Sequence, residues 1–152
     1  MYLKIIVPGE PVAQARPRFT KKGKKPRAYD TDKCANYKNA VGMFAKHALK
    51  NSYDWIYKEG TILAVTVDIC VSLEPPKSWS KGKKMSAISG DILPTTRPDC
   101  DNYAKTYLDA MTGILYKDDS NVVSLSVKKI YDYTSRAIIE LTARELFTDL
   151  PF

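Results

Sequence analysis

The run Thr61–Leu73, TILAVTVDICVSL, constrains the fold more than any other stretch of the chain. It alternates strongly along its whole length, the two-residue period of a strand with one face turned to a core. Glu74-Pro75-Pro76 ends it, since proline cannot continue a ladder of backbone hydrogen bonds. Tyr2–Val7, rich in β-branched residues and closed by Pro8-Gly9, reads as a second strand. Val122–Tyr133 and Arg136–Ala143 read as two more, joined through Tyr133-Thr134-Ser135-Arg136, a spacing that predicts a hairpin. Between them lie helical patterns. Asp32 is placed to cap a helix running to about Leu49, with Ala35, Tyr37, Val41, Phe44, Ala45, Ala48 and Leu49 on its apolar side. Ala104, Tyr107, Leu108, Met111 and Leu115 form the stripe of another, which Gly113 stops. Glu10–Tyr29 reads as a loop or mobile arm, and Lys77–Pro98 as a polar connection with a short helix from Ser80 to Ile88. The expectation is one compact α/β (α+β) domain spanning residues 1–152, with a mixed sheet of about four strands and two main helices.

Charge narrows the partners. The chain carries 24 Lys and Arg against 17 Asp and Glu, a formal net charge of +7. Arg16, Arg18, Lys21, Lys22, Lys24, Lys25 and Arg27 supply that whole excess within Arg16–Arg27, where there is no acid. Basicity gathered into a patch argues for a polyanionic partner. A run of charge is often only a solvated face. Here seven cations in close sequence, flanked by Phe19 and Tyr29, repel one another unless an anion is present, which favours contact with a phosphate backbone. Lys77–Lys84 extends that surface. The three cysteines, Cys34, Cys70 and Cys100, have no zinc spacing and suggest no disulfide framework, so reduced thiols in a reducing cytoplasm are expected. Met1–Val7 is too short an apolar run for a signal peptide, and no membrane partner is expected.

Aspartates concentrate where the second helix begins, in RPDCDNYAKTYLDAMTGILYKDD from Arg97 to Asp119. Asp99 and Asp101 are two residues apart, so an extended segment would send both side chains the same way. Asp101, Lys105 and Asp109 recur at helical spacing. Asp118 and Asp119 fall in the loop before the next strand. If that strand packs beside the helix start, a third carboxylate meets the first two, and three acceptor-only groups with a lysine nearby suit a hard cation such as magnesium. Simpler roles exist for each: Asp101 or Asn102 as a helix cap, Asp109 paired with Lys105, Asp118-Asp119 as a turn. One acid suffices for a cap, however, and Asp99 is left with no structural task. Clustered carboxylates also repel unless a cation screens them. A phosphatase-type D-x-D fits poorly, because Arg97-Pro98 precede the motif and Tyr103 stands where that chemistry wants a hydroxyl residue.

The constellation Arg97-Pro98-Asp99-x-Asp101-Asn102-x-x-Lys105, then Leu108-Asp109-Ala110, then Asp118-Asp119-Ser120-x-Val122, resembles the RusA family of Holliday junction resolvases. The resemblance extends to the first strand and to Pro-x-x-x-x-Arg-Pro-Arg at Pro11–Arg18. It implies a homodimeric, magnesium-dependent endonuclease, with manganese as an alternative ion, that nicks four-way DNA junctions in recombination and repair. Carried over, Asp99, Asp101 and Asp119 become metal ligands and catalytic residues, Asp118 a further candidate ligand, and Lys105 the catalytic lysine. Arg97 joins the arm cations Arg16, Arg18, Lys21, Lys22, Lys24, Lys25 and Arg27 as a DNA contact. Tyr103 departs from the leucine common at its position, which bears on packing. Two other readings stand beside this one: a non-catalytic DNA-binding protein using the basic patch, and a metal-dependent nuclease acting on another nucleic acid. His47 reads as structural or solvent-facing. Trp55, Tyr57 and Trp79 are candidates for stacking on bases, although such residues more often pack a core.

Overall fold

Along the chain run β1 (Tyr2–Pro8), β2 (Arg18–Thr20), β3 (Arg27–Tyr29), α1 (Asp32–Lys50), β4 (Ile62–Leu73), α2 (Lys81–Ile88), α3 (Cys100–Met111), β5 (Val122–Tyr131) and β6 (Arg136–Leu146). They are taken from a computed structural model that describes residues 1–16, 18–20, 27–58 and 60–146, with the backbone alone for 18–20 and 27–29. The long alternating strand, β4, lies inside a four-stranded sheet of order β1-β6-β4-β5, antiparallel to β6 and parallel to β5. Its position follows from its composition. Leu63, Val65, Val67, Ile69 and Val71 all face the core, and an interior strand pairs the backbone of both edges while it buries them. Register carries the apolar rows across the sheet: Leu3 beside Leu141, Leu141 beside Val67, Val67 beside Leu125, and one step on Ile5, Ile139, Ile69 and Val127.

Helices α1 and α3 cover that face with Val41, Ala45, Tyr103, Tyr107 and Met111. Each aliphatic side chain sealed there contributes about 1.5–3 kcal/mol. The helices approach closely at Gly42, where an added Cβ would lie 3.3 Å from Ile114 Cδ1 and 3.5 Å from the Ala110 carbonyl. Three side-chain polar groups are satisfied inside: the Tyr37 and Tyr107 hydroxyls share a hydrogen bond of 2.8 Å, and Trp55 Nε1 donates to the Leu115 carbonyl at 3.1 Å. Trp55 is therefore core, not a surface for bases, and Tyr57 is half-buried against the same core. Burial pushes the Tyr107 phenol far up, so it stays a neutral hydrogen-bonding partner. All three cysteines are free thiols. Among the described residues no helix is long and apolar enough to cross a membrane.

The architecture is thus a single α/β domain with a mixed four-stranded sheet, two main helices and the short α2, whose N-cap is Ser80. Several local expectations are corrected. The proposed hairpin is absent: β5 and β6 flank β4 and do not pair with each other. The turn between them passes over the end of β4, where Asp132 N–H donates to the Leu73 carbonyl at 2.9 Å and Glu74 N–H to Ser135 Oγ at 3.2 Å. A short connection cannot tell a hairpin from a step over an intervening strand. The segment read as a loop or mobile arm holds β2 and β3, paired antiparallel with Phe19 opposite Ala28. Thr31, not Asp32, caps α1, its Oγ1 accepting from Cys34 N–H. Leu115 is buried from the turn after α3 and does not extend the helical stripe.

Candidate active site

The loop that delivers the aspartates is anchored from β5. Lys129 lies on the helix-covered side of that strand, and its Nζ donates to the carbonyls of Thr96 and Pro98, both at 2.8 Å. The Arg97–Pro98 peptide is cis, and the Arg97 side chain is exposed. Asp99 follows as the N-cap of α3, with the extended backbone (φ −78°, ψ 154°) that this position requires. Its carboxylate makes no capping hydrogen bond. Asp101 stands exposed in the first helical turn. The two are therefore not partners on one face of an extended segment, as their spacing suggested, because the helix has already begun between them. Both still crowd the positive end of the α3 dipole.

One turn on, Lys105 is exposed, its Nζ 3.5 Å from Asp109 Oδ1. Asp109 Oδ2 accepts at 2.9 Å from Lys38 Nζ on α1, which also donates to Asp30 Oδ2 at 2.9 Å. Gln14 completes the group, with Nε2 donating to Asp30 Oδ1 at 2.6 Å and its backbone N–H donating to the Asn102 carbonyl at 2.9 Å. Hydrogen bonds from Lys38 and Gln14 hold the Asp30 carboxyl below its ordinary range. For Lys38, burial pushes the ammonium down, but the hydrogen bonds and charges of Asp30 and Asp109 outweigh it and its pKa is raised. Sequence reasoning missed Gln14, Asp30 and Lys38. A signal for one of them existed. Cys34, Val41 and Ala45 are the buried stripe of α1, and Lys38 falls at helical spacing within it, a cation where a core residue belongs.

The third carboxylate lies elsewhere. A 3-10 turn, Asp119–Asn121, precedes β5, and Asp118 caps it by accepting from Ser120 N–H at 2.9 Å while Asn121 Oδ1 accepts from Asp118 N–H at 3.1 Å. That Ser120 amide holds the Asp118 carboxyl below its usual range. Asp118 thus serves the turn, and both members of the pair are exposed. Among the described residues, the carboxylates of Asp101 and Asp119 accept no hydrogen bond from a protein donor and join no ion pair, although the Asp119 carbonyl accepts from Val122 N–H.

β5 does not bring Asp119 to the start of α3. Its far end, at Lys129, anchors the loop before Asp99, whereas Tyr116 hydrogen-bonds through its hydroxyl to the Leu108 carbonyl near the end of the helix. The strand runs back along α3. Asp99 and Asp101 stand at the start of α3, and Asp119 opens the turn that follows Tyr116. Accordingly, among the described residues no three His, Cys, Asp or Glu side chains form a group that could hold one metal ion. As donors, Asp99, Asp101 and Asp119 suit a hard divalent cation.

Of the basic arm, Arg16 is exposed, and Arg18 and Arg27 lie on paired strands, their side chains outside the description. Lys21, Lys22, Lys24 and Lys25 fall outside the described residues. A second basic surface flanks the site at α2. Trp79 packs edge-on to Tyr131 with ring centres 5.4 Å apart, and Lys83 Nζ sits 4.0 Å over the Trp79 ring. Lys77 and Lys81 are exposed nearby. His47 is exposed in the last turn of α1.

A protein from Bacillus subtilis (strain 168) named Uncharacterized protein YqaN is 38% identical over 148 residues, covering 95% of this chain and 96% of its own. A Lactococcus phage r1t protein named Crossover junction endodeoxyribonuclease rusA is 29% identical over 133 residues, covering 87% of this chain and 89% of its own. Residues 8–142, which include the loop, α3 and the Asp118-Asp119 turn, match the family Endodeoxyribonuclease RusA, and the chain belongs to that family.

Proposed function

We propose that the protein cuts four-way DNA junctions by divalent-cation-dependent phosphodiester hydrolysis, as a homodimer in which each active site is built from two protomers. The observation that carries this reading is Asp99. An aspartate at an N-cap ordinarily binds the helix amides, yet this one makes no such bond, so its carboxylate is kept for another partner. Asp101 and Asp119 are likewise exposed. These three would hold the cation, magnesium or manganese in its place, and Asp118 would support the turn that presents Asp119. When bound there, the cation supplies a water of lowered pKa and neutralises charge on the phosphate oxygens.

The residues of the chain do the rest. Lys105, a point charge one turn past Asp101, faces solvent and stabilises the negative charge that builds on the phosphate as water attacks. Arg97, on the anchored loop beside Asp99, holds the neighbouring phosphate. The arm cations Arg16, Arg18, Lys21, Lys22, Lys24, Lys25 and Arg27, with Lys77, Lys81 and Lys83 beyond the site, grip the duplex arms without reading bases.

The homodimer follows from two arguments. Symmetric nicking of a junction needs two sites related by a twofold axis. Within one protomer Asp99, Asp101 and Asp119 also form no three-carboxylate group among the described residues, so Asp119 of a second copy would be the carboxylate that completes each site. Mixing two inactive variants tests this. Asp99→Asn and Asp119→Asn should each fail to nick a labelled four-way junction in magnesium. Mixed dimers contain one intact composite site and should nick it, with linear duplex cut far less. A silent mixture, from variants shown to exchange subunits, would overturn the shared site, and equal cutting of junction and duplex would overturn the junction preference.

A further inference from the structure

The hydrogen-bonded group around Lys38 forms a closed path that starts and ends on α3 and brackets Lys105. It leaves the helix at the Asn102 carbonyl and passes through Gln14, Asp30 and Lys38 in turn. It returns at Asp109, one turn past Lys105. The path is half-buried: side-chain exposure is 15% for Lys38, 30% for Asp30 and 33% for Asp109, against 61% for Lys105. The four charges alternate and sum to zero. Asp109 is the shared member, with Oδ2 given to Lys38 at 2.9 Å and Oδ1 left at 3.5 Å from Lys105. The second distance exceeds a hydrogen bond, so Lys105 is steered but not captured.

We infer that Lys38 is a positioning residue for the reaction: by occupying Asp109 it prevents that carboxylate from closing on Lys105, and so leaves the Lys105 ammonium able to reach the scissile phosphate. This deepens the function proposed above and rests on Lys105 acting at the phosphate. The alternative acceptor for Lys38 is already fixed, since Asp30 is held by Gln14. Lys38 therefore stays between the two acids, and the hydrogen bonds to both keep it charged. Without it, Asp109 would carry a full negative charge one helical turn from Lys105, the spacing at which such pairs form on a helix surface.

The test separates positioning from mere structure. Single-turnover cleavage of a four-way junction in saturating magnesium by Lys38→Met should fall about tenfold, with junction binding within about twofold of wild type. Lys38→Arg, which keeps a donor for both acids, should stay within about threefold of wild type. The decisive variant is Lys38→Met/Asp109→Asn. Asparagine cannot trap the ammonium electrostatically, so the double variant should recover most of the lost rate, whereas a purely structural strut would be weakened further. The double variant also relieves the unpaired acid, so it answers the question even if Lys38→Met proves poorly folded. Wild-type cleavage by folded Lys38→Met, or a double variant no faster than the single, would overturn the inference. Lys105→Ala examines the foundation: near wild-type cleavage by it removes the role of Lys105, whereas slow Lys105→Ala with failed rescue removes only that of Lys38.

Discussion

Replacing Asp99 by asparagine separates stability from chemistry more cleanly than any other change in the site. The carboxylate makes no capping hydrogen bond, so none is lost. Asparagine is as good an N-cap residue as aspartate and leaves the extended backbone of the position undisturbed. What remains is the attraction between an exposed carboxylate and the N-terminal end of the α3 dipole, about 0.3–1 kcal/mol. Relief of repulsion from Asp101 offsets part of it. The stability change should therefore be under about 1 kcal/mol, which in a domain of this size moves the melting temperature by only about 2–4 °C. Chemistry responds on another scale. Loss of a ligand or a preorganised charge at a reacting phosphate costs about 100- to 1000-fold in rate, or roughly 3–4 kcal/mol. Thermal unfolding and single-turnover junction cleavage on the same preparation make the comparison, with junction affinity as a control that should hold or tighten as a negative charge leaves the phosphates. A variant that melts normally and cleaves within about threefold of wild type would refute the assignment of Asp99 and return it to the role of an imperfect cap.

Two further outcomes follow from other parts of the molecule. Changing Lys21, Lys22, Lys24 and Lys25 together to alanine should weaken junction binding and flatten its salt dependence, with each lost phosphate contact lowering the log–log slope by about 0.9; an unchanged slope would show that the arm does not touch phosphate. Asp30 has a pKa lowered from 3.8 by Lys38 and Gln14, so its contribution to stability is complete above 3.8 and is lost as pH falls through the depressed native value. The melting-temperature gap between wild type and Asp30→Asn should hold at neutral pH and close in that acid window, and a gap that persists there would refute the assignment.

The chain's local patterns determined its elements because their causes are local. The alternation of Thr61–Leu73 needs a strand with one buried face, wherever that strand ends up, and it is observed as β4 over Ile62–Leu73. Tyr103, Tyr107 and Met111 are buried because helical spacing puts them on one side of α3, and the motif around Asp99, Asp101 and Lys105 was recognisable because its residues are neighbours in sequence. Pairing, by contrast, was decided only in three dimensions. The turn before Arg136 carries hairpin signals, but β4 intervenes between β5 and β6 and pairs with both. Nor does spacing along the chain express that, among the described residues, Asp99, Asp101 and Asp119 form no three-carboxylate group within one protomer. Lys38 illustrates the point most sharply. Its bond to Asp109 spans 71 residues, and what makes a lysine acceptable in the buried stripe of α1 is a carboxylate that only the packing of α1 against α3 brings within 2.9 Å. Sequence records which side chains a helix or strand will hide; the balance of charge around a half-buried cation belongs to the fold, since Coulomb energy depends on distance through space and on the water that packing removes.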